Sequence, residues 1–248
     1  MMHSCFYVLN RSEIISDMLK KNLVVLSGAG MSAESGIATF RDSGGLWDKY
    51  PVEQVATPEG FQRDPKLVLD FYNLRRLELA TTKPNNGHLL LAELEDKFNV
   101  TIITQNVDDL HERAGSSHII HLHGELTKAC SSYNSVDPRY VKSLGYDEDI
   151  ALGDEAGDGS QLRPFIVWFG EAVPEIETAL PFVRDADIFV IIGTSMNVYP
   201  AAGLLNYTKS TTPVYLIDPK DVSVGSSRVE HIKMGASLGV EKLIEVLG

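Results

Sequence analysis

The sequence has little cysteine, a shortage of basic residues and no long apolar run. Two cysteines, Cys5 and Cys130, stand far apart in 248 residues, which argues against a disulfide framework and favours a reducing, cytoplasmic location. The 22 basic side chains are outnumbered by 34 acidic ones, and the formal net charge of -12 argues against nucleic acid or an anionic membrane as a partner. No segment approaches the roughly 20 apolar residues that a membrane-spanning helix needs.

The remaining composition is that of a globular protein, with 44% hydrophobic and 23% charged residues. The chain is long enough for one sizeable core with a small subdomain. Short apolar segments at 23–26, 100–104, 187–192 and 214–217 are typical of buried parallel strands. They predict an α/β protein with a doubly wound parallel sheet.

A glycine-rich turn follows the first of these strands. Gly28, Gly30 and Ala33 fit the spacing G-x-G-x-x-G/A, which lets backbone N–H groups approach a pyrophosphate and starts a helix whose positive end favours the anion. A purely structural turn is the alternative for this spacing alone. A dinucleotide-binding dehydrogenase would next have a strand ending in an acidic residue, but residues 41–51 are rich in turn formers, so that interpretation fails.

From Gly28 to Arg41 the chain meets every fixed position of G-A-G-x-S-x-x-S-G-I-x-x-F-R. It thereby resembles the sirtuin family of NAD-dependent protein deacylases, and further matches extend the resemblance from about residue 23 to the C-terminus. The resemblance implies a Rossmann-like sheet with a small inserted subdomain, acylated-lysine proteins or peptides as partners, and NAD consumed as a co-substrate. The acyl group would pass to ADP-ribose as nicotinamide is released.

One catalytic domain is expected over residues 18–248, with the small subdomain built from inserts at about 36–62 and 125–163. Residues 1–17 have no counterpart in the resemblance: they form an N-terminal extension if translation starts at Met1, and the alternative hypothesis is a start at Met18. N-terminal sequencing of protein made from the native gene would test that start.

Polar residues follow the strand at 100–104. Gln105, Asn106 and Asp108 lie in a segment that resembles T-Q-N-[IV]-D-x-L-H, and polar groups beyond a parallel strand face the ligand crevice. The resemblance implies that Gln105 and Asn106 hold the nicotinamide-side ribose or position water, and that Asp108 binds the nicotinamide carboxamide. A turn capping the helix at 110–114 would explain Asp108 alone. His111, in the same motif, is expected to pack structurally.

His123 ends the alternating segment 119–124 and matches the sirtuin L-H-G catalytic histidine. A histidine at a strand end is ordinarily a polar edge residue. The adjacent Gly124 permits close ligand approach, and this favours a general base. His121, two residues earlier, lies on the same face of the strand as His123 and is the control position for testing His123.

The zinc cysteines of the family are missing. Where sirtuins have two Cys-x-x-Cys pairs, this chain has Cys130 with Tyr133 at the partner position and no further cysteine. A single thiol cannot form the tetrahedral sulfur site, so we expect no zinc. The segment 125–161 is expected to be a mobile loop or a zinc-free version of the small subdomain.

Tyr72 and Arg75 are three residues apart on a helix predicted over 65–79, capped by Asp64. They resemble the Tyr-x-x-Arg pair of sirtuins that remove succinyl and malonyl groups, since guanidinium and phenol both bind carboxylate. The alternative is a pair of amphipathic surface side chains. Val167 and Phe169, in a segment resembling R-P-x-V-V-x-F-G-E, would form the walls of the acyl-lysine slot, unless this is a plain core strand.

Further cofactor-binding residues follow from the resemblance or from their places at strand ends. Phe40 and Arg41 belong to the loop that would shield the reacting ribose, and Asp218 would accept hydrogen bonds from ribose hydroxyls. The others are Ala29, Glu34, Gly193, Thr194, Ser195 and Ala236.

Two other functions remain open from the sequence. The missing zinc ligands suggest a catalytically idle NAD- or ADP-ribose-sensing module, and the same site could catalyse ADP-ribosyl transfer. The presence of His123 beside the polar crevice residues argues against the sensor, because binding alone requires no base.

Overall fold

The described chain contains one large and one small β-sheet. The structure is a computed structural model that describes residues 20–39, 50–224 and 228–248. The expected N-terminal extension, the start at Met18, and Phe40 and Arg41 lie outside the described residues. The strands are β1 (Lys21–Ser27), β2 (Phe98–Thr104), β3 (Ile119–His121), β4 (Gly124–Ser131), β5 (Lys142–Ser143), β6 (Leu162–Ile166), β7 (Ile188–Ile192), β8 (Val214–Ile217) and β9 (Val229–Ile232).

Helices connect these strands and cover the large sheet. The α-helices are α1 (Ala29–Ala33), α2 (Val52–Val55), α3 (Pro58–Arg63), α4 (Pro65–Leu79), α5 (Asn86–Glu93), α6 (Leu110–Ala114), α7 (Glu175–Asp185) and α8 (Ala236–Leu247). Three segments are 3₁₀ helices: Leu94–Asp96, Pro138–Tyr140 and Ala201–Tyr207. No helix in the described ranges has the length and apolar character needed to cross a membrane.

The large sheet has the order β3-β2-β1-β7-β8-β9, and all its neighbouring strands are parallel. Because side chains alternate along a strand, Val24 and Leu26 of β1 pack with α7 on one face. Leu23 and Val25 pack with α5 and α8 on the other face. Both faces are therefore buried, and the predicted doubly wound α/β fold is confirmed.

The small sheet is antiparallel, in the order β5-β4-β6, and has its own core. Ala129, Leu144 and Leu162 pack there against Leu69 of α4. Residues 125–161 contain most of β4, all of β5 and the 3₁₀ helix Pro138–Tyr140, and the zinc-free character expected for this subdomain stays a prediction. The domain limits at about 36–62 and 125–163 stay a prediction, since α4 lies outside both ranges yet contributes to this core.

Side-chain hydrogen bonds join the end of β4 to the segment that precedes β6. Cys130 is fully buried, and the next residue, Ser131, donates its hydroxyl to Asp158 over 2.6 Å. Ser131 Oγ also accepts from the N–H groups of Tyr133 and Asn134. Polar contacts therefore hold this turn in place, and the absence of zinc remains a prediction.

Several elements differ from the sequence prediction. The bounds of α4 agree with the prediction, but the sequence analysis assigned no element to the 3₁₀ helix Ala201–Tyr207 or to α8. The sequence did not predict α7, whose interior contains Pro181, a residue that normally interrupts helices. It did not predict β9 either, because this edge strand has exposed polar residues instead of an apolar run.

Candidate active site

A crevice of about 660 Å³ opens at the carboxyl ends of β1, β2, β7 and β8, where the small sheet meets the large one. This edge is where open α/β sheets bind ligands. The predicted residues that line it are Gly28, Ala29, Gly30, Glu34, Tyr72, Gln105, Asn106, His123, Val167, Phe169, Gly193, Thr194, Ser195 and Asp218. Arg75, Asp108 and Ala236 lie outside this lining.

The glycine loop packs directly against the end of β7. The N–H groups of Gly28 and Gly30 donate to the carbonyls of Ile192 and Gly193, at 2.9 and 2.8 Å. A Cβ atom at Gly30 would lie 2.6 Å from Gly193 Cα. The sequence analysis expected N–H groups of this turn to bind a pyrophosphate. In the structure these two N–H groups instead donate to backbone carbonyls at the end of β7. The glycines are required because two backbones meet here.

Replacing Gly30 with alanine should therefore lower the free energy of unfolding by about 1–3 kcal/mol, since the added methyl meets backbone atoms that cannot rotate away. Urea unfolding measures this loss, and NAD affinity should fall with it. Gly203→Ala is the matched control, because a Cβ there meets only Tyr199 ring atoms at 3.8 Å or more. Equal stability of the two variants would contradict the close-approach argument.

A buried hydrogen-bond network holds the polar residues after β2. Asn106 Nδ2 donates to Ser32 Oγ over 3.0 Å, and Ser32 Oγ donates to Asp108 Oδ2 over 2.9 Å. Asp108 is 6% exposed, and burial raises its pKa against the opposing effect of the Ser32 hydrogen bond. Asp108 therefore orders Asn106 from behind the crevice surface, and its contact with a nicotinamide carboxamide stays a prediction. Beside it, Gln105 Nε2 donates to Thr194 Oγ1 over 3.0 Å.

His123 presents an unprotonated nitrogen. Its Nδ1 lies 3.0 Å from the Gln105 carbonyl oxygen, which can only accept, so Nδ1 carries the proton and Nε2 has the lone pair. Burial lowers the pKa of His123, which keeps the ring neutral at neutral pH. The crevice therefore contains a side chain able to accept a proton.

The other two histidines of these motifs have structural partners. His121 Nε2 lies 2.6 Å from Glu112 Oε1; burial alone would lower the pKa of His121, but the Glu112 hydrogen bond and charge raise it. His111 is buried beside Ser27 and packs edge-on against His88. The structural role expected for His111 agrees with this placement, and His121 does not line the crevice.

The proposed acyl slot contains Tyr72 but not the guanidinium of Arg75. Arg75 is 8% exposed, and its Nη1 pairs with Glu78 over 2.6 Å. The neighbouring Arg76 points elsewhere and donates to the Glu148 carbonyl. Val167 and Phe169 are both in the crevice wall.

Sequence reasoning gave Trp168 no role, although it lines the crevice between Val167 and Phe169. Strand alternation would put it on the opposite face, but β6 ends at Ile166 and the alternation ends with it. Also missed were the segments 197–200 and 219–223, which follow the carboxyl ends of β7 and β8. Ser195 and Asp218 were selected because residues beyond the carboxyl ends of parallel strands face the crevice, and the same reasoning would have found these segments. Gly235 lines the crevice in place of Ala236.

Fold and crevice together define a protein that binds a nucleotide at the carboxyl edge of a doubly wound sheet, beside a neutral histidine and an aromatic slot. Residues 28–200 match the Sir2 family, and the chain belongs to that family. This confirms the resemblance to the sirtuins.

Relatives and solved structures agree with this assignment. A protein of Bacteroides thetaiotaomicron, named NAD-dependent protein deacylase, is 70% identical over 92% of this chain and 98% of its own length. One of the same name from Helicobacter pylori (strain 26695) is 56% identical over 81% of this chain and 85% of its own. The crystal structure of a Sir2 homolog–NAD complex has a TM-score of 0.80 at 34% identity, covering 99% of this chain and 98% of that one.

Proposed function

We propose that this protein is a cytoplasmic NAD-dependent protein-lysine deacylase that favours acidic acyl groups such as succinyl and malonyl. It transfers the acyl group from lysine to ADP-ribose and releases nicotinamide. The curated relatives support the deacylase activity, and the scarcity of cysteine supports the location. The acyl preference rests on residues of this chain.

The observation that carries the proposal is the unprotonated Nε2 of His123 in the crevice. A neutral imidazole can take a proton from a hydroxyl group in one step. NAD supplies the ribose hydroxyl, and the residues present fit it. Gly193, Thr194 and Ser195 leave room at the end of β7, and Asp218 offers a carboxylate at the end of β8.

The acyl preference is supported by Tyr72 and Arg75. Tyr72 lines the crevice, and Arg75 lies one helical turn away with a nearly buried guanidinium. Arg75 already binds the carboxylate of Glu78, whose side chain is 50% exposed. An acyl carboxylate entering the slot can take the place of Glu78, because a guanidinium has five donors and binds carboxylates through a planar fork.

The test is nicotinamide release with one peptide carried in acetyl, succinyl and malonyl forms. We expect release to require both NAD and an acylated lysine, and the two acidic forms to have the higher kcat/KM. Binding of NAD or ADP-ribose without release on any peptide would identify a sensing module. Release without an acylated peptide, with ADP-ribose attached to protein, would identify ADP-ribosyl transfer.

A further inference from the structure

We propose that Trp168 is a positioning residue for acyl specificity: its indole N–H fixes the Tyr72 hydroxyl so that the phenolic proton is presented to the acyl carboxylate. The inference rests on the proposed preference for acidic acyl groups. It assigns a role to a residue between the two predicted walls of the slot.

The direction of the hydrogen bond between Trp168 and Tyr72 is determined by chemistry. Trp168 Nε1 lies 3.2 Å from the Tyr72 hydroxyl oxygen. An indole N–H can only donate, so the phenolic oxygen must accept, and the phenolic proton has to point elsewhere. Within the described part of the chain this hydroxyl has no acceptor, so its proton is available to a ligand in the crevice that Tyr72 lines.

Tyr72 also stays a donor over the working pH range. It is 6% exposed, and burial raises the pKa of its hydroxyl, an effect that the Trp168 hydrogen bond only partly opposes. A protonated phenol can donate to a carboxylate, and a hydrogen bond to a charged group is stronger than one between neutral groups. The acetyl group has no terminal carboxylate, so it cannot accept this hydrogen bond.

Trp168 is itself held by Arg163 and Glu171. The Arg163 guanidinium lies 3.8 Å from the indole ring centre, and it pairs with both oxygens of Glu171 at 2.8 and 2.9 Å. Glu171 Oε2 in turn accepts from the Trp168 backbone N–H over 2.7 Å. With 2% of its surface exposed, the indole cannot rotate away from Tyr72. The direction of the donor is therefore set before any substrate binds.

The discriminating variant is Trp168→Phe, which keeps an aromatic ring under Arg163 and removes the N–H donor together with one ring of the indole. We expect kcat/KM for succinyl and malonyl peptides to fall about tenfold, mainly through KM, because one charge-assisted hydrogen bond loses its alignment. For the acetyl peptide the change should stay within about twofold, since that substrate has no carboxylate to align. A loss of packing alone would lower all three equally.

Tyr72→Phe and the double variant Tyr72→Phe/Trp168→Phe complete the test. If Trp168 acts through Tyr72, the acidic-to-acetyl ratio of the double variant should equal that of Tyr72→Phe. Additive losses, or an unchanged ratio in Trp168→Phe, would overturn the inference and leave the proposed function intact. Should Trp168→Phe fail to fold, an unchanged ratio in Tyr72→Phe alone would overturn it. A wild-type protein with no preference for acidic acyl groups would overturn both.

Discussion

Replacing His123 with alanine should lower kcat for deacylation by at least about a hundredfold, the range typical for loss of a general base. The physical reason is the tautomer: Nδ1–H is bound to the Gln105 carbonyl, so Nε2 alone can accept the ribose proton. NAD binding should persist, because the glycine loop and the ends of β7 and β8 are untouched. Deacylated peptide measured by mass spectrometry and NAD affinity by calorimetry separate the two effects.

His121→Gln is the matched control for this experiment. His121 contacts Glu112 and the Asn106 backbone carbonyl but does not itself line the crevice, so its variant should lose less than about tenfold. An inactive His121→Gln variant together with an active His123→Ala variant would refute the assignment of His123 as the general base.

The pH dependence provides a second measurement on His123. Burial lowers the pKa of His123 from its ordinary value near 6.5, so Nε2 stays unprotonated as the pH falls through that value. The acidic limb of the kcat/KM profile should accordingly lie below pH 6.5. A limb above that value would mean that His123 is charged in the folded enzyme.

Replacing Arg75 with methionine should reduce succinyl-peptide turnover far more than acetyl-peptide turnover. A lost charge-assisted hydrogen bond costs about 1.5–3 kcal/mol, which corresponds to roughly a ten- to hundredfold fall in kcat/KM for the acidic substrate. Methionine retains much of the aliphatic stem that Arg75 buries on α4. Parallel kcat/KM measurements on the acetyl and succinyl forms of one peptide give the ratio.

Glu78→Gln is the complementary variant. It removes the carboxylate that now pairs with Arg75 and leaves the guanidinium in place. Succinyl turnover should be unchanged or improved, with a lower KM, because the acyl carboxylate no longer competes with an internal one. Equal losses on both acyl forms in Arg75→Met would refute a carboxylate-specific role for Arg75.

Much of the sheet was predictable because burial on both faces demands continuous apolar runs. Residues 23–26 and 188–192 show this pattern, and both lie in fully buried strands. Elements that are stabilised by tertiary contacts, and not by burial on both faces, have no such apolar run. The edge strand β9 is held by hydrogen bonds to β8, and α7 is held by packing on β1 and β3 despite Pro181.

The general location of the site was also predictable. Gln105, Asn106, Thr194 and Asp218 follow directly after strands, and the carboxyl ends of parallel strands meet at one edge, so these residues gather without further information. The segment between β4 and β6 was harder, because its turn is closed by a side-chain hydrogen bond from Ser131 to Asp158, which no spacing rule encodes.

By itself the sequence determined the doubly wound sheet, the edge that carries the crevice, and the family to which the chain belongs. The tertiary structure alone decided which side chains present reactive groups. It shows that Asp108 is linked to Asn106 through Ser32, that Arg75 is paired with Glu78, and that Trp168 reaches Tyr72 from 96 residues away. The reason is physical: periodicity reports which face of an element is buried, whereas the direction of a hydrogen bond depends on partners that only folding brings together.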